Sequence, residues 1–425
     1  MLIFTETSSI RLQYICKFIF QEQLGIGYSL TIDSESFRLH DGPKINYSNV
    51  QIEGDMFTLR PRPLLFEKNI YQQDIDCFEY NGSKAFFKIA ESDYPFDIFA
   101  ACFYLLSRYE EYLPYKEDMY GRYAHENSLA FKEGVLQQAL VNRWIKAFSK
   151  SLQQKFSSFS PRFASFGFTP TYDIDIAWSY KNKGLLRNMG GFIKNPSLGR
   201  LAVLSGLKAD PFDCYDYLNA LHTAKKLQPV YFFLVAASRG VYDKNISPYE
   251  QSMWQLMKRH AKKYEVGLHP SWRSNEQHGL LEKEKKILET ATGKPIIRSR
   301  QHYIKMSLPD TYQRLSQAGI SDEYSMGYGS INGFRASVAS PFYWYDLKNE
   351  AVTRLRIHPF CFMDANSFYE QKQNAADSLA ELMAYYHECK NTGGELITIF
   401  HNSFLGTDPL YKGWRALYNE FMEQM

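Results

Sequence analysis

The stretch "FTPTYDIDIAW", residues 168–178, joins an apolar, β-branched run to two aspartates, Asp173 and Asp175. Side chains alternate along a strand, so the two carboxylates point the same way at the end of this one. Two like charges that close are unfavourable unless a cation or a raised pKa relieves them. The pair therefore marks either a site that binds a cation or a strand end that faces water, and the stretch alone leaves both readings open.

The chain around this stretch alternates strand and helix patterns. Strands are predicted over seven segments: 164–175, 229–235, 264–270, 295–304, 333–337, 353–359 and 395–402. Helical spacing is found in five segments between them: 212–228, 247–264, 275–292, 308–319 and 375–391. This alternation predicts a parallel sheet, either open or closed into a barrel, with functional groups at the carboxyl ends of the strands.

Six of the seven predicted strand ends carry an acid, a histidine or an arginine. These residues are Asp173 with Asp175, His269, Arg300 with His302, Arg335, His358 and His401. On neighbouring strands they would converge on one rim, where buried polar groups are costly unless they are paired or bound to a metal. Asp and His together suit Zn²⁺ or a similar divalent ion. The sequence shows neither a phosphate-binding loop nor a G-x-S-x-G turn, so nucleotide binding and serine hydrolase chemistry are not indicated.

The composition shifts near residues 150–165, where Ser, Lys, Gln and Pro follow one another without strong periodicity. We expect a domain boundary there, with a smaller α+β domain over 1–160 and the strand–helix domain over 161–425. Within the first domain, residues 76–89 predict a strand pair that turns at Asn81-Gly82. Residues 97–113 predict a mostly buried helix.

Charge and cysteine usage exclude several function classes. The formal charge of +3 comes from nearly balanced acids and bases, and no basic run suggests nucleic acid as a partner. Six scattered cysteines fit buried thiols in a reducing compartment. The longest apolar run, residues 98–106, is too short to cross a bilayer, and the first residues do not read as a signal peptide. A cytoplasmic protein is expected, and its oligomeric state is left open.

In this order the motifs resemble those of the polysaccharide deacetylase superfamily, whose members have a distorted (β/α) barrel. "TYDID" resembles the first motif, T-F-D-D-G, with Ile174 inserted between the two aspartates. "EVGLHPSWR" resembles the second, H-[ST]-x-x-H, but Arg273 stands where the second histidine is usual. "RQHYI" resembles the third motif, with His302 in place of a proline, and "LITIFHN" resembles the last. The resemblance covers residues 165–405.

The resemblance implies a metal-dependent hydrolase that removes an acetyl group, N-acetyl rather than O-acetyl, from a sugar or glycan precursor. It implies a divalent ion, with Zn²⁺ expected, held by Asp175 and His269. We expect His302 to replace the missing third ligand. The implied catalytic residues are Asp173 as base, Arg300 as its partner and His401 as general acid. The expected substrate-binding residues are Trp272, Tyr303 and Arg335.

Several alternatives stay open at this stage. The whole layout also resembles a subgroup of bacterial proteins, frequent among Bacteroidetes, that has an uncharacterised N-terminal domain. The protein is alternatively a non-catalytic carbohydrate-binding relative, or a metal-dependent amidohydrolase acting on a non-sugar amide. Arg335 either holds an anionic sugar group or pairs with Asp346. The aromatic residues of 333–347 form either a sugar-stacking wall or part of the core.

Overall fold

In the computed structural model, which describes residues 1–194, 196–238 and 240–425, the first residues form a small parallel sheet. Its strand order is β2-β1-β3-β4, and every neighbouring pair is parallel. The strands are β1 (Leu2–Phe4), β2 (Ser29–Thr31), β3 (Lys44–Asn46) and β4 (Phe57–Thr58). Helices α1 (Ile10–Cys16), which continues as a π-helix over Lys17–Gln23, and α2 (Ser34–Arg38) make the crossovers.

The strand pair predicted to turn at Asn81-Gly82 is confirmed. Strands β5 (Phe78–Tyr80) and β6 (Ser83–Ala85) pair antiparallel, and both turn residues have positive φ, 48° and 70°, as a two-residue hairpin requires. The predicted buried helix is α3 (Ile98–Leu106), all of whose residues are buried. Helices α4 (Leu129–Lys132) and α5 (Leu140–Lys155) complete this region.

The second region is built on a nine-stranded sheet in the order β12-β13-β11-β10-β9-β8-β7-β15-β14. All its recorded pairs are parallel except β12 with β13. The strands are β7 (Gly167–Ile174), β8 (Val230–Leu234), β9 (Glu265–His269), β10 (Arg298–Ser299), β11 (Asp322–Glu323), β12 (Phe342–Asp346), β13 (Ala351–Ile357), β14 (Phe362–Met363) and β15 (Glu395–His401). The expected α/β class is confirmed. Within the described residues the sheet has two ends, β12 and β14, so closure into a barrel is not shown.

Helices lie between these strands, as parallel pairing requires, and a final helix follows the last strand. They are α6 (Leu185–Lys194), α7 (Leu198–Leu204), α8 (Tyr215–Lys225), α9 (Gln251–Lys263), α10 (Leu280–Thr292), α11 (Asp310–Gln317), α12 (Ala375–Thr392) and α13 (Trp414–Gln424). The five helices predicted from spacing are all present. The two sheets are built from residues 2–58 and 167–401, but the domain division at residue 160 itself stays a prediction.

The strand predicted over 333–337 is wrong. Gly333 has φ +142° and Ser337 has φ +50°, which lie outside the strand region, and the segment is a loop. The aromatic residues of 333–347 belong mainly to the core: Phe334, Phe342, Trp344 and Tyr345 are all buried. These aromatic residues therefore pack in the core and do not form a sugar-stacking wall.

A buried ion cluster joins the two regions. Arg335 donates through Nε and Nη2 to the two carboxylate oxygens of Glu111, over 2.8 and 2.6 Å. Arg108 donates to Glu111 as well, and to Glu110, each over 2.8 Å. Burial raises the pKa of Glu111, but Arg335 and Arg108 outweigh it and leave this pKa below its ordinary value. The carboxylate therefore stays ionised between two guanidiniums.

Removing the shared carboxylate should destabilise the protein strongly. We expect Glu111→Ala to lower the free energy of unfolding by about 3–5 kcal/mol, because it leaves two buried guanidiniums without their partner. Chemical denaturation measures this. Asp216→Ala is the control, since Asp216 pairs with Arg259 over 3.6 Å on the surface with 94% of its side chain exposed, and such pairs contribute little. Equal effects of the two substitutions would contradict the structural role of the cluster.

Candidate active site

Parallel pairing brings the predicted site residues to one rim of the large sheet. His401 pairs with Asp173 in the register between β15 and β7, and His269 ends β9 beside Leu234 of β8. Arg300 and His302 follow β10 directly. The convergence expected from the strand ends is therefore present for these residues, while Arg335 and His358 make their contacts elsewhere.

Asp175 lies at the centre of three imidazoles. Its carboxylate oxygens lie 3.1 Å from His269 Nε2, 3.5 Å from His302 Nε2 and 3.4 Å from His401 Nε2. The ligand atoms of Asp175, His269 and His302 lie within 4.8 Å of one another. Asp175 Oδ1 is buried and, apart from His269 Nε2 at 3.1 Å, has no hydrogen-bond partner among the described residues. A buried carboxylate oxygen that faces imidazole nitrogens in this way is the arrangement that a divalent cation would satisfy.

Each imidazole is oriented through its other nitrogen. His269 Nδ1 lies 2.5 Å from the carbonyl oxygen of Arg300, which can only accept, so His269 donates there and turns Nε2 toward Asp175. His302 Nδ1 lies 3.0 Å from Asp243 Oδ1, and His401 Nδ1 lies 2.6 Å from Asp364 Oδ1. Such outer contacts are typical of histidines that bind metals, because they fix the tautomer and the ring orientation.

The electrostatics of the cluster follow from its carboxylates. Burial lowers the pKa of His302, but Asp175 and Asp243 outweigh it and raise the pKa to about 9. Burial likewise lowers the pKa of His401, and Asp364 and Asp175 raise it well above its ordinary value. Burial raises the pKa of Asp175, while the histidines, His302 first, bring it well below the ordinary range. The protein therefore concentrates negative charge where it attracts either protons or a metal cation.

Asp173 lies next to this cluster and is held by a buried arginine. Arg300 Nη1 donates to Asp173 Oδ1 over 2.9 Å and to Thr171 Oγ1 over 2.7 Å. The guanidinium lies 4.4 Å above the ring of Phe232. A Cβ atom at Gly267 would come within 2.4 Å of that same ring, so glycine is required there. Asp173 Oδ2 lies 3.7 Å from His269 Nε2, which places this carboxylate beside the Asp175 cluster.

A cavity of about 430 Å³ opens over these residues. Its aromatic lining consists of Tyr120, Tyr242, Tyr303, Phe404, Tyr369 and Tyr411, and polar side chains of Gln301, Asn366 and Asn402 add hydrogen-bonding groups. A larger cavity of about 550 Å³ lies at the opposite ends of β7 and β15, beside Gly167 and Glu395. It contains none of the predicted site residues, so the first cavity is the one that can hold a substrate at this rim.

Two residues of the N-terminal region reach this cavity. Arg122 Nη1 donates to the carbonyl oxygen of Tyr303 over 2.5 Å and is itself held by Asp118. Tyr303 has φ +58°, an uncommon conformation for a residue with a side chain, and the ring of Tyr120 lies 5.5 Å from its ring. The region before residue 160 therefore helps to shape the cavity and to hold the segment that carries His302.

The other predicted substrate-binding residues lie in different places. Trp272 stands behind the cavity wall, where its ring stacks on Tyr242 at 4.0 Å, and it is not among the lining residues. Arg335 is buried in the cluster with Glu111 and does not line the cavity. Its alternative pairing with Asp346 is wrong too, because Asp346 accepts hydrogen bonds from Gln313 and Asn349 instead.

Sequence reasoning missed four residues of the site: Asp243, Asp364, Tyr120 and Arg122. Asp364 directly follows β14, a strand of two residues, so the strand-end rule applies to it but the strand was too short to predict. Asp243 lies in a loop that has no local pattern. Tyr120 and Arg122 come from a distant part of the chain, and only the tertiary structure brings them to Tyr303.

Comparison with known proteins finds a family for the first region and weak structural likenesses. Residues 1–157 match a family of unknown function, DUF7033. No curated protein matches the sequence. Among solved structures, a candidate polysaccharide deacetylase from Mycobacterium smegmatis is 13% identical, with a TM-score of 0.40 over 61% of this chain and 84% of that one.

Two further solved structures belong to proteins of Bacillus. A polysaccharide deacetylase from Bacillus cereus is 10% identical, with a TM-score of 0.31 over 61% of this chain and 87% of that one. A pseudoenzyme of the CE4 family from Bacillus anthracis is 9% identical, with a TM-score of 0.29 over 61% and 62%. Likenesses this weak do not decide a function, which has to come from the side-chain geometry.

Among the described residues, no helix is long and apolar enough to cross a membrane.

The loop after β9 depends on a buried acid behind the site. Glu284 Oε2 accepts from the backbone N–H of Ser271 over 2.8 Å, next to Trp272. Burial raises the pKa of Glu284 from 4.5 to about 7. The pKa of Glu284 is higher in the folded protein than in the unfolded chain. The contribution of this acid to the free energy of unfolding is therefore full below pH 4.5 and is lost as the pH rises to 7.

Glu284→Gln, which mimics the protonated acid, should therefore match the natural protein at pH 4 and gain relative stability above pH 7. The expected gain in the free energy of unfolding at pH 8 is about 3 kcal/mol. Urea unfolding of metal-free protein at both pH values measures it. Glu282→Gln, an exposed position on the same helix, is the matched control and should show no such dependence. If the Glu284→Gln protein has the same relative stability at both pH values, the raised pKa is contradicted.

Proposed function

We propose that the protein is a metal-dependent hydrolase that removes an acetyl group, N-acetyl first, from a sugar or glycan precursor. The observation that carries this proposal is a carboxylate held by a buried arginine, Asp173 with Arg300, directly beside a carboxylate–imidazole cluster that suits a divalent ion. The motif resemblance supports the same chemistry, because Asp173, Asp175, His269, Arg300 and His401 match its residues in order.

Asp175, His269 and His302 are the proposed ligands of the ion, with Zn²⁺ as the first candidate. Three protein ligands with one open position are usual for catalytic zinc. A bound divalent ion supplies Lewis acidity for the acetyl carbonyl and for water. Asp243 and the carbonyl of Arg300 keep the two imidazoles in the orientation that this ligand set needs.

Asp173 is the proposed general base, which takes a proton from the attacking water. The guanidinium of Arg300 stabilises the ionised carboxylate and fixes its direction. His401 is the proposed general acid for the departing amine. Asp364 raises the pKa of the imidazole and holds the ring by accepting from both its Nδ1 and its backbone N–H. General acid–base catalysis of this kind contributes about 10²–10⁴-fold each.

A sugar is the substrate class that the cavity favours. Tyrosine rings and a phenylalanine ring line it together with amide side chains, which combines stacking surfaces with hydrogen-bonding groups for hydroxyls. Arg122 holds the carbonyl of Tyr303, and the backbone near Tyr303 is the proposed donor to the oxyanion. Tyr120 and Arg122 are thus the proposed contribution of the N-terminal region to substrate binding.

Replacing the base should abolish hydrolysis while the protein stays folded. We expect Asp173→Asn to reduce acetate release from N-acetylated sugars by about 10²–10⁴-fold, because the amide cannot take up the proton of water. Asp216→Asn makes the same chemical change at an exposed surface position and should leave the rate unchanged. Acetate release measured on a panel of acetylated sugars and acetylated non-sugar amides separates the sugar hydrolase from the amidohydrolase.

A zinc-loaded natural protein that releases no acetate from any compound of this panel would refute the proposed hydrolase. Retained activity in Asp173→Asn would refute the role of Asp173 alone.

Replacing the proposed third ligand should remove the metal. We expect the natural protein to hold about one zinc ion per chain and His302→Ala to lose it, as measured by elemental analysis after dialysis. Asp243→Asn should weaken binding about 10–100-fold through the orientation of His302. The control is His278→Ala, since His278 is exposed. Stoichiometric zinc in the His302→Ala protein would refute this ligand set.

A further inference from the structure

The insertion between β7 and α8 exposes apolar side chains along one side of a helix. On α6, Leu186, Met189 and Ile193 follow one another at spacings of three and four residues, which places them on one face. Their side chains are exposed, Leu186 by 85% and Ile193 by 79%. A helix of a soluble protein normally turns such a stripe toward the core.

The second helix of the insertion, α7, also exposes apolar side chains to solvent. Leu198, Leu201 and Leu204 follow at spacings of three on α7, and Leu198 is exposed by 84%. Val203 is the buried apolar residue of this helix. Together the two helices present six large apolar side chains to solvent. Exposed apolar side chains in this number mark an interaction site.

Polar contacts, by contrast, hold the two helices of the insertion together and close its base. Asn188 is buried and donates to the carbonyl oxygens of Tyr180 and Gly184 over 3.0 and 3.1 Å. Arg200 donates to the carbonyl of Asn188 over 3.0 Å, and its guanidinium lies 4.9 Å above the ring of Tyr180. Asp210 closes the base of the insertion by accepting from three backbone N–H groups. The two helices are therefore held mainly through polar groups, while the six apolar side chains of the stripes stay exposed.

The charge of this segment identifies the surface that it fits. Residues 181–209 contain six basic residues and no acidic one, although the whole chain has 49 basic and 46 acidic residues. The bases are Lys181, Lys183, Arg187, Lys194, Arg200 and Lys208. Apolar side chains combined with cations on short helices are typical of segments that lie in the interface of an anionic bilayer. The surface of an anionic bilayer matches both the apolar stripes and the complete absence of acids.

The insertion also adjoins the cavity. It begins a few residues after Asp175, and Arg187 donates to the carbonyl oxygen of Lys244 over 2.8 Å. Lys244 is one of the residues that line the cavity. A surface bound to α6 and α7 would therefore lie next to the cavity rim.

We propose that residues 181–208 bind the surface of a bilayer that contains anionic lipids, with α6 and α7 lying in the interface rather than crossing it. The stripes of Leu186, Met189 and Ile193 and of Leu198, Leu201 and Leu204 enter the boundary of the acyl chains. Exposed basic side chains of the segment, such as Lys208, attract the anionic headgroups. This inference does not depend on the proposed hydrolase activity.

Co-sedimentation of the full chain with vesicles tests this proposal. Vesicles of phosphatidylcholine alone are compared with vesicles that also contain phosphatidylglycerol. We expect binding to the anionic vesicles, at least about tenfold weaker binding to the neutral ones, and loss of binding at about 1 M salt, where charges are screened within about 3 Å.

The variant Leu186→Asp with Leu198→Asp should reduce binding to anionic vesicles at least about tenfold, because it places charge in the acyl boundary. The matched control is Ile32→Asp with Leu39→Asp, which makes the same change at positions exposed by 67% and 65% elsewhere. The control should bind as the natural protein does. Circular dichroism checks that both variants fold, and the comparison of the two vesicle types with natural protein does not depend on either variant.

Three results would overturn the proposal. The natural protein could fail to bind anionic vesicles, or the two double variants could bind them equally well. The third result is a dimer in size-exclusion chromatography that Leu186→Asp with Leu198→Asp converts to a monomer, without vesicle binding. In that case the surface is an interface between two copies of this chain.

Discussion

The buried arginine Arg300 is the constraint on which the candidate active site depends. Its side chain holds Asp173 and Thr171, and its backbone carbonyl accepts from His269 Nδ1. One residue thus fixes both the proposed base and one proposed ligand of the ion. Its guanidinium has to fit between Asp173 and the ring of Phe232, which in turn lies so close to Gly267 that no side chain is possible there. The same contacts of Arg300 therefore determine both the packing of the sheet and the positions of the site residues at its rim.

Concentrating buried carboxylates and imidazoles in one place is costly for folding, since each charged group loses water. The protein offsets this cost with paired contacts: Asp243 for His302, Asp364 for His401 and Arg300 for Asp173. Among the buried atoms of this cluster, Asp175 Oδ1 and Arg300 Nη2 are left without a hydrogen bond to any described residue. A central carboxylate oxygen that faces oriented imidazoles fits a bound cation better than it fits a purely structural cluster.

The strand–helix order and the rim residues could be predicted from the sequence because both depend on local patterns. Asp173, His269 and His401 follow long apolar strands, so their convergence could be predicted from parallel pairing alone. His302 stood at a predicted strand end, and the missing histidine at Arg273 is what suggested its role as a ligand. Asp364 follows a strand of two residues, and Asp243 lies in a loop, so neither has a periodic signal.

Contacts between distant parts of the chain were beyond the same reasoning. Arg335 followed a predicted strand that the structure replaces with a loop, and its partner Glu111 lies in the other region. The contacts of Tyr120 and Arg122 with the cavity could not be predicted either, because tertiary structure and not sequence spacing brings these residues to Tyr303.

The central claim is that one divalent ion binds between Asp175, His269 and His302, beside the base Asp173. A crystal structure of the zinc-loaded protein, with anomalous data at the zinc edge, tests this claim most directly. The account predicts a single strong peak with one carboxylate oxygen and two imidazole Nε2 atoms of these residues at about 2.0–2.2 Å. A peak elsewhere in the chain, or an ion at this rim bound without His302, would contradict it.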